Sequence, residues 1–233
     1  MSADQTLVFE NVSASYGPFK ALFDVSFSIG HGEAVALLGS NGSGKTSVAR
    51  VASGLIAPTD GTVYVSGESM RKKRAFKFAR AGVYHAPEGR SVLATLTVEE
   101  NILLSHDASI VKAGDRLERA FNLFPRLKER RHQIAGTLSG GEQRMLSLAG
   151  VIMTQPKLFI GDELSLGLAP MIIDDVYNAL AEIKKGGTSL LIIEQHVNHA
   201  LEIADRAIIM AHGRVDFTGS ITDARAHFDQ VTH

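Results

Sequence analysis

The octapeptide "GSNGSGKT", Gly39 to Thr46, constrains this 233-residue chain more than any other stretch. It matches the spacing G-x-x-x-x-G-K-T. The apolar run "AVALL" precedes it and "SVARVASGL", which can start a helix, follows. Strand, glycine loop and helix together make a phosphate cradle. Gly39, Gly42 and Gly44 let the backbone curl until its N–H groups point inward at phosphate oxygens. Ser40, Asn41, Ser43 and Ser47 complete the predicted nucleotide contacts. The helix N-terminus adds partial positive charge. Lys45 is placed to reach the β- and γ-phosphates, and the Thr46 hydroxyl to ligate Mg²⁺.

Such a loop needs an acidic partner for the metal. Asp162, closing "LFIG", puts a carboxylate at the end of a buried strand. Glu163 follows it and can polarise an attacking water as general base.

The rest of the chain fits an α/β fold with a mainly parallel sheet. "TLVFENV" and "ALFDVSFSI" alternate as half-buried strands do. "EAVALLG" runs apolar without a break, as a central strand buried on both faces does. "GTVYVSG" is a further short strand. Residues 97–155 read mainly as helices. Thr97 and Glu100 make a capping-box pattern, and Pro125 interrupts the helical spacing of "DRLERAFNLFPRLKER". The last third alternates: strand "KLFIGDE", helix from Pro170, strand "TSLLII", helix "HVNHALEIA", strand "RAIIMA". Alternation of this kind implies parallel strands with helices on their faces, and the helical middle implies an inserted lobe.

Composition narrows the function classes. The formal net charge is −1, so no bulk pull toward nucleic acid is expected. The chain has no cysteine, which excludes disulfides and thiolate zinc sites. No apolar run approaches the roughly 18–20 residues that span a bilayer. The N-terminus lacks the basic and apolar regions of a signal peptide. One locally basic segment, "RKKRAFKFAR" from Arg71 to Arg80, reads as a solvated helix face, with contact to phosphates or lipid head groups as the alternative.

"LSGGEQ", Leu138 to Gln143, precedes the helical stretch "RMLSLAGVIM". Ser139 and Glu142 make a second capping box. The adjacent Gly140 and Gly141 cost helix propensity, and capping leaves them unexplained. Close backbone approach to an anion at the helix N-terminus would use them.

The loop, "LSGGEQ" and "LFIGDE", in this order and spacing, resemble an ATP-binding-cassette ATPase over essentially the whole chain. The resemblance implies a single cassette, residues 1–233. Residues 1–88 and 156–233 would form the ATP-binding core with an N-terminal antiparallel β subdomain, and 89–155 the helical lobe. It implies that two cassettes face head to tail and sandwich two nucleotides. Ser139, Gly140, Gly141 and Glu142 would then serve ATP held by a partner's loop. Tyr16, in "SYG", falls where the family places a ring that stacks on adenine. "SLGLAP", from Ser165, falls where the chain crosses the dimer interface. "APEGRSVLATLTVEENI" and "EQHVNHALEIADRAIIM" narrow the resemblance to ATP-binding subunits of branched-chain amino acid importers. That implies a cytoplasmic subunit, peripheral on the inner face of the membrane. Its partners would be a permease, a second copy of itself or a sister cassette and, indirectly, a solute-binding protein. A nucleotide-sensing cassette with weak hydrolysis and a soluble non-transport cassette ATPase stay open as alternatives.

The sequence departs from the family pattern at three places. Glu88, in "APEGR", stands where a glutamine usually senses Mg²⁺ and the attacking water; a carboxylate there can approach the metal but adds negative charge. Leu164 replaces the usual proline after Asp162-Glu163. The family's switch histidine precedes the aspartate of an "A-D-R" triplet by ten residues. Counting back from Asp205 lands on Gln195, with His196 one residue late. Gln195 is therefore the expected γ-phosphate contact, and His196 the alternative should the chain bulge.

Overall fold

The computed structural model describes residues 4–89, 92–104, 113–195 and 197–231. Two long strands, β1 (Gln5–Tyr16) and β2 (Phe19–Gly30), form an antiparallel hairpin. The chain then leaves through β3 (Ala34–Leu38) for a second sheet and enters α1 (Lys45–Ala52). β4 (Asp60–Val65) and β5 (Glu68–Ser69) return to the first sheet, which is antiparallel in the order β2-β1-β4-β5. α2 (Ala75–Arg80) and β6 (Val83–Ala86) lead to a run of helices: α3 (Val98–Leu104), α4 (Ala113–Leu123), α5 (Pro125–Glu129) and α6 (Gly140–Thr154). The remainder alternates: β7 (Leu158–Asp162), α7 (Pro170–Lys185), β8 (Ser189–Ile193), α8 (Val197–Ile203), β9 (Arg206–Ala211), β10 (Arg214–Gly219) and α9 (Ile221–Val231).

The second sheet has the order β10-β9-β3-β8-β7-β6. Strands β9 through β6 run parallel, and only β10 is antiparallel to its neighbour. Every residue of β3, β7 and β8 is buried, because both faces of the sheet are covered. Alternate side chains supply two cores. Ala36, Leu38, Phe159, Leu190 and Ile192 pack with α6 and α7. Val35, Leu37, Ile160, Leu191 and Ile193 pack with α1 and the antiparallel sheet. The expected α/β fold, with a mainly parallel sheet, an antiparallel N-terminal sheet and an inserted helical segment, is the fold observed.

Local signals act where the sequence places them. Thr97 N–H donates to Glu100 Oε2 at 2.8 Å, and Glu100 N–H to Thr97 Oγ1 at 3.2 Å. Pro125 sits in the first turn of α5 and ends α4 before it. Three elements carry no strong local signal: β6, with four residues, β10, whose residues are all exposed or half-buried, and the C-terminal α9. The basic segment becomes an exposed turn and α2. Its six cations all face solvent, and Phe78 anchors the helix by packing where a Cβ on Gly54 would stand.

Candidate nucleotide site

Parallel strands that end at one edge leave a crevice beyond their carboxyl ends, where α/β proteins bind ligands. β3, β7 and β8 are adjacent and parallel, so the loop after Leu38, Asp162 at the end of β7 and Glu194 just past β8 converge there.

The loop is built on positions that admit no side chain. A Cβ on Gly39 would lie 2.4 Å from the Met210 carbonyl oxygen, and φ is +148° there. Gly44, at φ +106°, caps α1 from a left-handed conformation. Ser40, Asn41 and Gly42 are exposed at the loop's crest, and Ser43 and Ser47 are buried beneath it. Lys45 is 4% exposed and donates from Nζ to the carbonyls of Gly39 at 2.8 Å and Ser40 at 3.0 Å. Burial lowers its pKa, and the charges of Glu163, Asp162 and Glu194 act in the opposite sense. A cavity of about 260 Å³ is lined by this loop together with Lys20, Phe23, Glu163 and His212.

Asp162 is buried at 1% exposure. Thr46 Oγ1 donates to its Oδ1 at 3.5 Å, so the hydroxyl and the carboxylate converge. Burial pushes the Asp162 pKa up to about 6, and the Glu163 and Glu88 charges add to the rise; Thr46 and Lys45 oppose it. A carboxylate held above its unfolded pKa binds a proton more readily in the native state. Asp162 therefore lowers stability above about pH 6, and that cost fades as pH falls toward 4. Asp162→Asn should raise the melting temperature by a few degrees at pH 7.5, on the order of 2 kcal/mol. The gain should shrink to nothing near pH 4 in thermal melts. An equal gain at both pH values would show that ionisation is not its cause.

Glu163 is half-buried and adopts φ +49°, a left-handed conformation that costs on the order of 1 kcal/mol for a non-glycine residue. Its N–H donates to the Ile193 carbonyl at 2.8 Å. Directly behind the acidic pair, Leu164 is fully buried and folds back over Gly161. Glu88 is exposed, yet it lines a second cavity of about 450 Å³ with Tyr16, Thr46, His85 and Asp162. Tyr16 is half-exposed at the end of β1, with its hydroxyl 3.4 Å from Ser47 Oγ and its ring under the Arg50 guanidinium. A third cavity, among α4, the end of α6 and α7, holds none of the predicted residues.

Several predicted residues stand apart from these cavities. Ser139 and Gly140 are exposed at the start of α6. Glu142 has both carboxylate oxygens engaged, one by the Ser139 N–H at 2.8 Å and the other by Arg130 at 2.9 Å. Gly141 has a reason within the chain: a Cβ there would meet Ile172 Cγ2 at 2.9 Å, so its bareness lets α6 approach α7. Gln195 is exposed just past β8 and lines neither the loop cavity nor the Glu88 cavity. His196 lies outside the described residues.

Two site residues escaped the sequence reading. Glu194 is 2% exposed, and its carboxylate accepts from the Ser165 N–H at 3.0 Å, the Ser165 hydroxyl at 2.8 Å and the Tyr177 hydroxyl at 3.0 Å. Burial raises its pKa, and those three hydrogen bonds oppose the rise. Its signal was the abrupt end of the apolar run Leu190–Ile193. Arg144 is 6% exposed on α6 and donates to the carbonyls of Pro87 and Glu163. A cation at the head of an otherwise apolar helical run was its signal.

A profile of the ABC transporter family matches residues 22–165, and the chain belongs to that family. It is an ATP-binding cassette, an ATPase of the kind coupled to transport. It is 39% identical to the high-affinity branched-chain amino acid transport ATP-binding protein BraG of Pseudomonas aeruginosa, with 90% of each chain covered. It is 28% identical to the lipopolysaccharide export system ATP-binding protein LptB of Haemophilus influenzae, over 92% of this chain and 90% of that one. Among solved structures, the ADP conformation of MJ1267, an ATP-binding cassette of an ABC transporter, superposes with a TM-score of 0.81. That pair is 27% identical, with 98% of this chain and 99% of the other covered.

Proposed function

We propose that the chain is the ATP-hydrolysing subunit of an importer for branched-chain amino acids or related small solutes. The similarity to BraG over nearly the full length of both chains supports the substrate class. Residues 1–88 and 156–233 would bind ATP, and 89–155 would carry the signature helix that serves a second cassette. The working assembly would be two cassettes beneath a permease at the inner face of the membrane, supplied by a solute-binding protein. Among the described residues no helix is long and apolar enough to cross a membrane, so the path for the solute would come from the permease.

The chemistry follows from the residues in hand. The loop amides and Lys45 would bind the triphosphate, and Tyr16 would stack on the base. Mg²⁺ fits the pair Thr46 and Asp162, because hydroxyl and carboxylate converge and the carboxylate is short of compensating charge. Among the described residues no three His, Asp or Glu side chains gather as a metal cage, which suits an ion that takes most of its ligands from phosphates and water. When bound, Mg²⁺ would neutralise charge on the phosphates. Glu163 would accept the proton of the attacking water. Glu88, which lines a cavity with Thr46 and Asp162, would approach the metal there, and Gln195 would donate a hydrogen bond to the γ-phosphate from beyond β8.

The test is transport. A strain lacking this chain should regain uptake of radiolabelled leucine, isoleucine and valine with the wild-type gene and not with Glu163→Gln. Full uptake without the chain would remove the substrate class. A defect confined to lipid or lipopolysaccharide export would place the chain with the LptB-like relatives instead.

A further inference from the structure

Arg144 is a buried cation, 6% exposed. Among the described residues it makes no ion pair. Leaving a buried charge without a paired charge is costly, so the arrangement calls for a reason. Its guanidinium instead spans two chain segments. Nη1 donates to the Pro87 carbonyl at 3.2 Å, and Nη2 donates to the Glu163 carbonyl at 3.3 Å. Pro87 immediately precedes Glu88, and Glu163 immediately follows Asp162. Arg144 itself is on α6, the helix that Ser139 caps.

The hydrogen bond to Glu163 falls on a residue whose backbone is strained. At φ +49° the peptide groups on either side of Glu163 must be held from outside the residue. The Ile193 carbonyl takes the N–H on one side; on the other, the C=O accepts from Arg144 at 3.3 Å and from the Leu166 N–H at 3.4 Å, so Arg144 supplies its only side-chain donor among the described residues. A planar guanidinium can make two such bonds in a fixed fork, whereas an ammonium is a single point donor. Glu194, Asp162 and Glu88 supply the negative field that keeps the cation in place.

We propose that Arg144 is a positioning residue for ATP hydrolysis, its fork fixing the Glu163 backbone and the Glu88 segment to the signature helix so that the Glu163 carboxylate is aimed at the attacking water. This rests on the reading of Glu163 as general base. Arg144 contacts neither nucleotide nor water in this role. Its removal acts on turnover and leaves the phosphate cradle whole.

The variants Arg144→Gln and Arg144→Lys test it, each purified as the full chain in the assembly in which the wild type hydrolyses ATP. Phosphate release gives kcat, titration with a fluorescent ATP analogue gives affinity, and thermal melts report the fold. Both variants should lose at least about tenfold in kcat, with affinity within about threefold of wild type. Lysine should rescue no better than glutamine, because it keeps the charge and loses the fork. In single-turnover measurements, adding Arg144→Gln to Glu163→Gln should cost nothing further, since both act through one carboxylate. Wild-type kcat in either variant overturns the proposal. So does a parallel loss of affinity and melting temperature, the mark of a merely structural residue. If Glu163→Gln alone keeps full turnover, the general-base reading falls first, and that result is separate from the Arg144 measurements.

Discussion

Glu163→Gln is expected to lower ATP turnover by roughly 10²–10⁴-fold while nucleotide binding persists. The substitution keeps the shape of the side chain and the backbone bonds that hold it, from the Ile193 carbonyl and from Arg144. What it removes is the ability to take a proton from water. Glu163 shares a cavity with Lys45 and Thr46, the two residues proposed to meet the phosphates and their metal. Phosphate release and nucleotide titration, run on the same preparation, separate the two effects. A nucleotide-bound dimer should accumulate in size-exclusion chromatography with ATP. Turnover within threefold of wild type would take the general-base role away from Glu163.

Lys45→Ala should do the reverse and remove binding. Truncating one partner of a buried, hydrogen-bonded charge costs on the order of 3 kcal/mol, about 100-fold in affinity. Lys45 is nearly fully buried, so its ammonium cannot be replaced by bulk solvent, and it stands close enough to feel Glu163, Asp162 and Glu194. Without it those carboxylates face an incoming triphosphate with one cation fewer beside them, and the Gly39 and Ser40 carbonyls lose their shared donor. Titration with a fluorescent ATP analogue gives the affinity, and a thermal melt shows that the fold survives. Affinity within threefold of wild type would mean that the loop does not hold the triphosphate. The two variants thus leave opposite signatures, one binding without turning over and the other failing to bind.

What could be read in advance follows from how far apart the interacting groups lie along the chain. The phosphate loop, the Asp162–Glu163 pair and the capping boxes at Thr97 and Ser139 are contiguous or three residues apart, so their logic is local. Arg144 and Glu194 were not legible in this way. Their partners, Pro87, Glu163, Ser165 and Tyr177, lie 17 to 57 residues away, and only the packing of α6 and α7 against the parallel sheet brings them together. Strand register decides a subtler case. Counting from Asp205 separates Gln195 from His196, and the fold adds that Glu194 points inward and Gln195 outward. Gly141 shows how a resemblance can hide a simpler cause: Ile172 already requires a bare position there. β6 and β10 gave weak signals because one is four residues long and the other is nowhere fully buried.

Leu164 and Gly161 cannot be varied independently. A Cβ on Gly161 would stand 2.5 Å from Leu164 Cδ1 and 2.9 Å from its Cγ, and 3.1 Å from Phe159 Cε1. The leucine fills a hollow that exists only because the strand is bare beneath it. A side chain gained at 161 first would be overpacked. Leu164→Pro alone would leave a void under the acidic pair. The two positions are therefore coupled, and the effect of a substitution at either one depends on the residue at the other. Leu164 and the bare position at Gly161, three residues upstream, thus behave as one packed unit beneath the acidic pair.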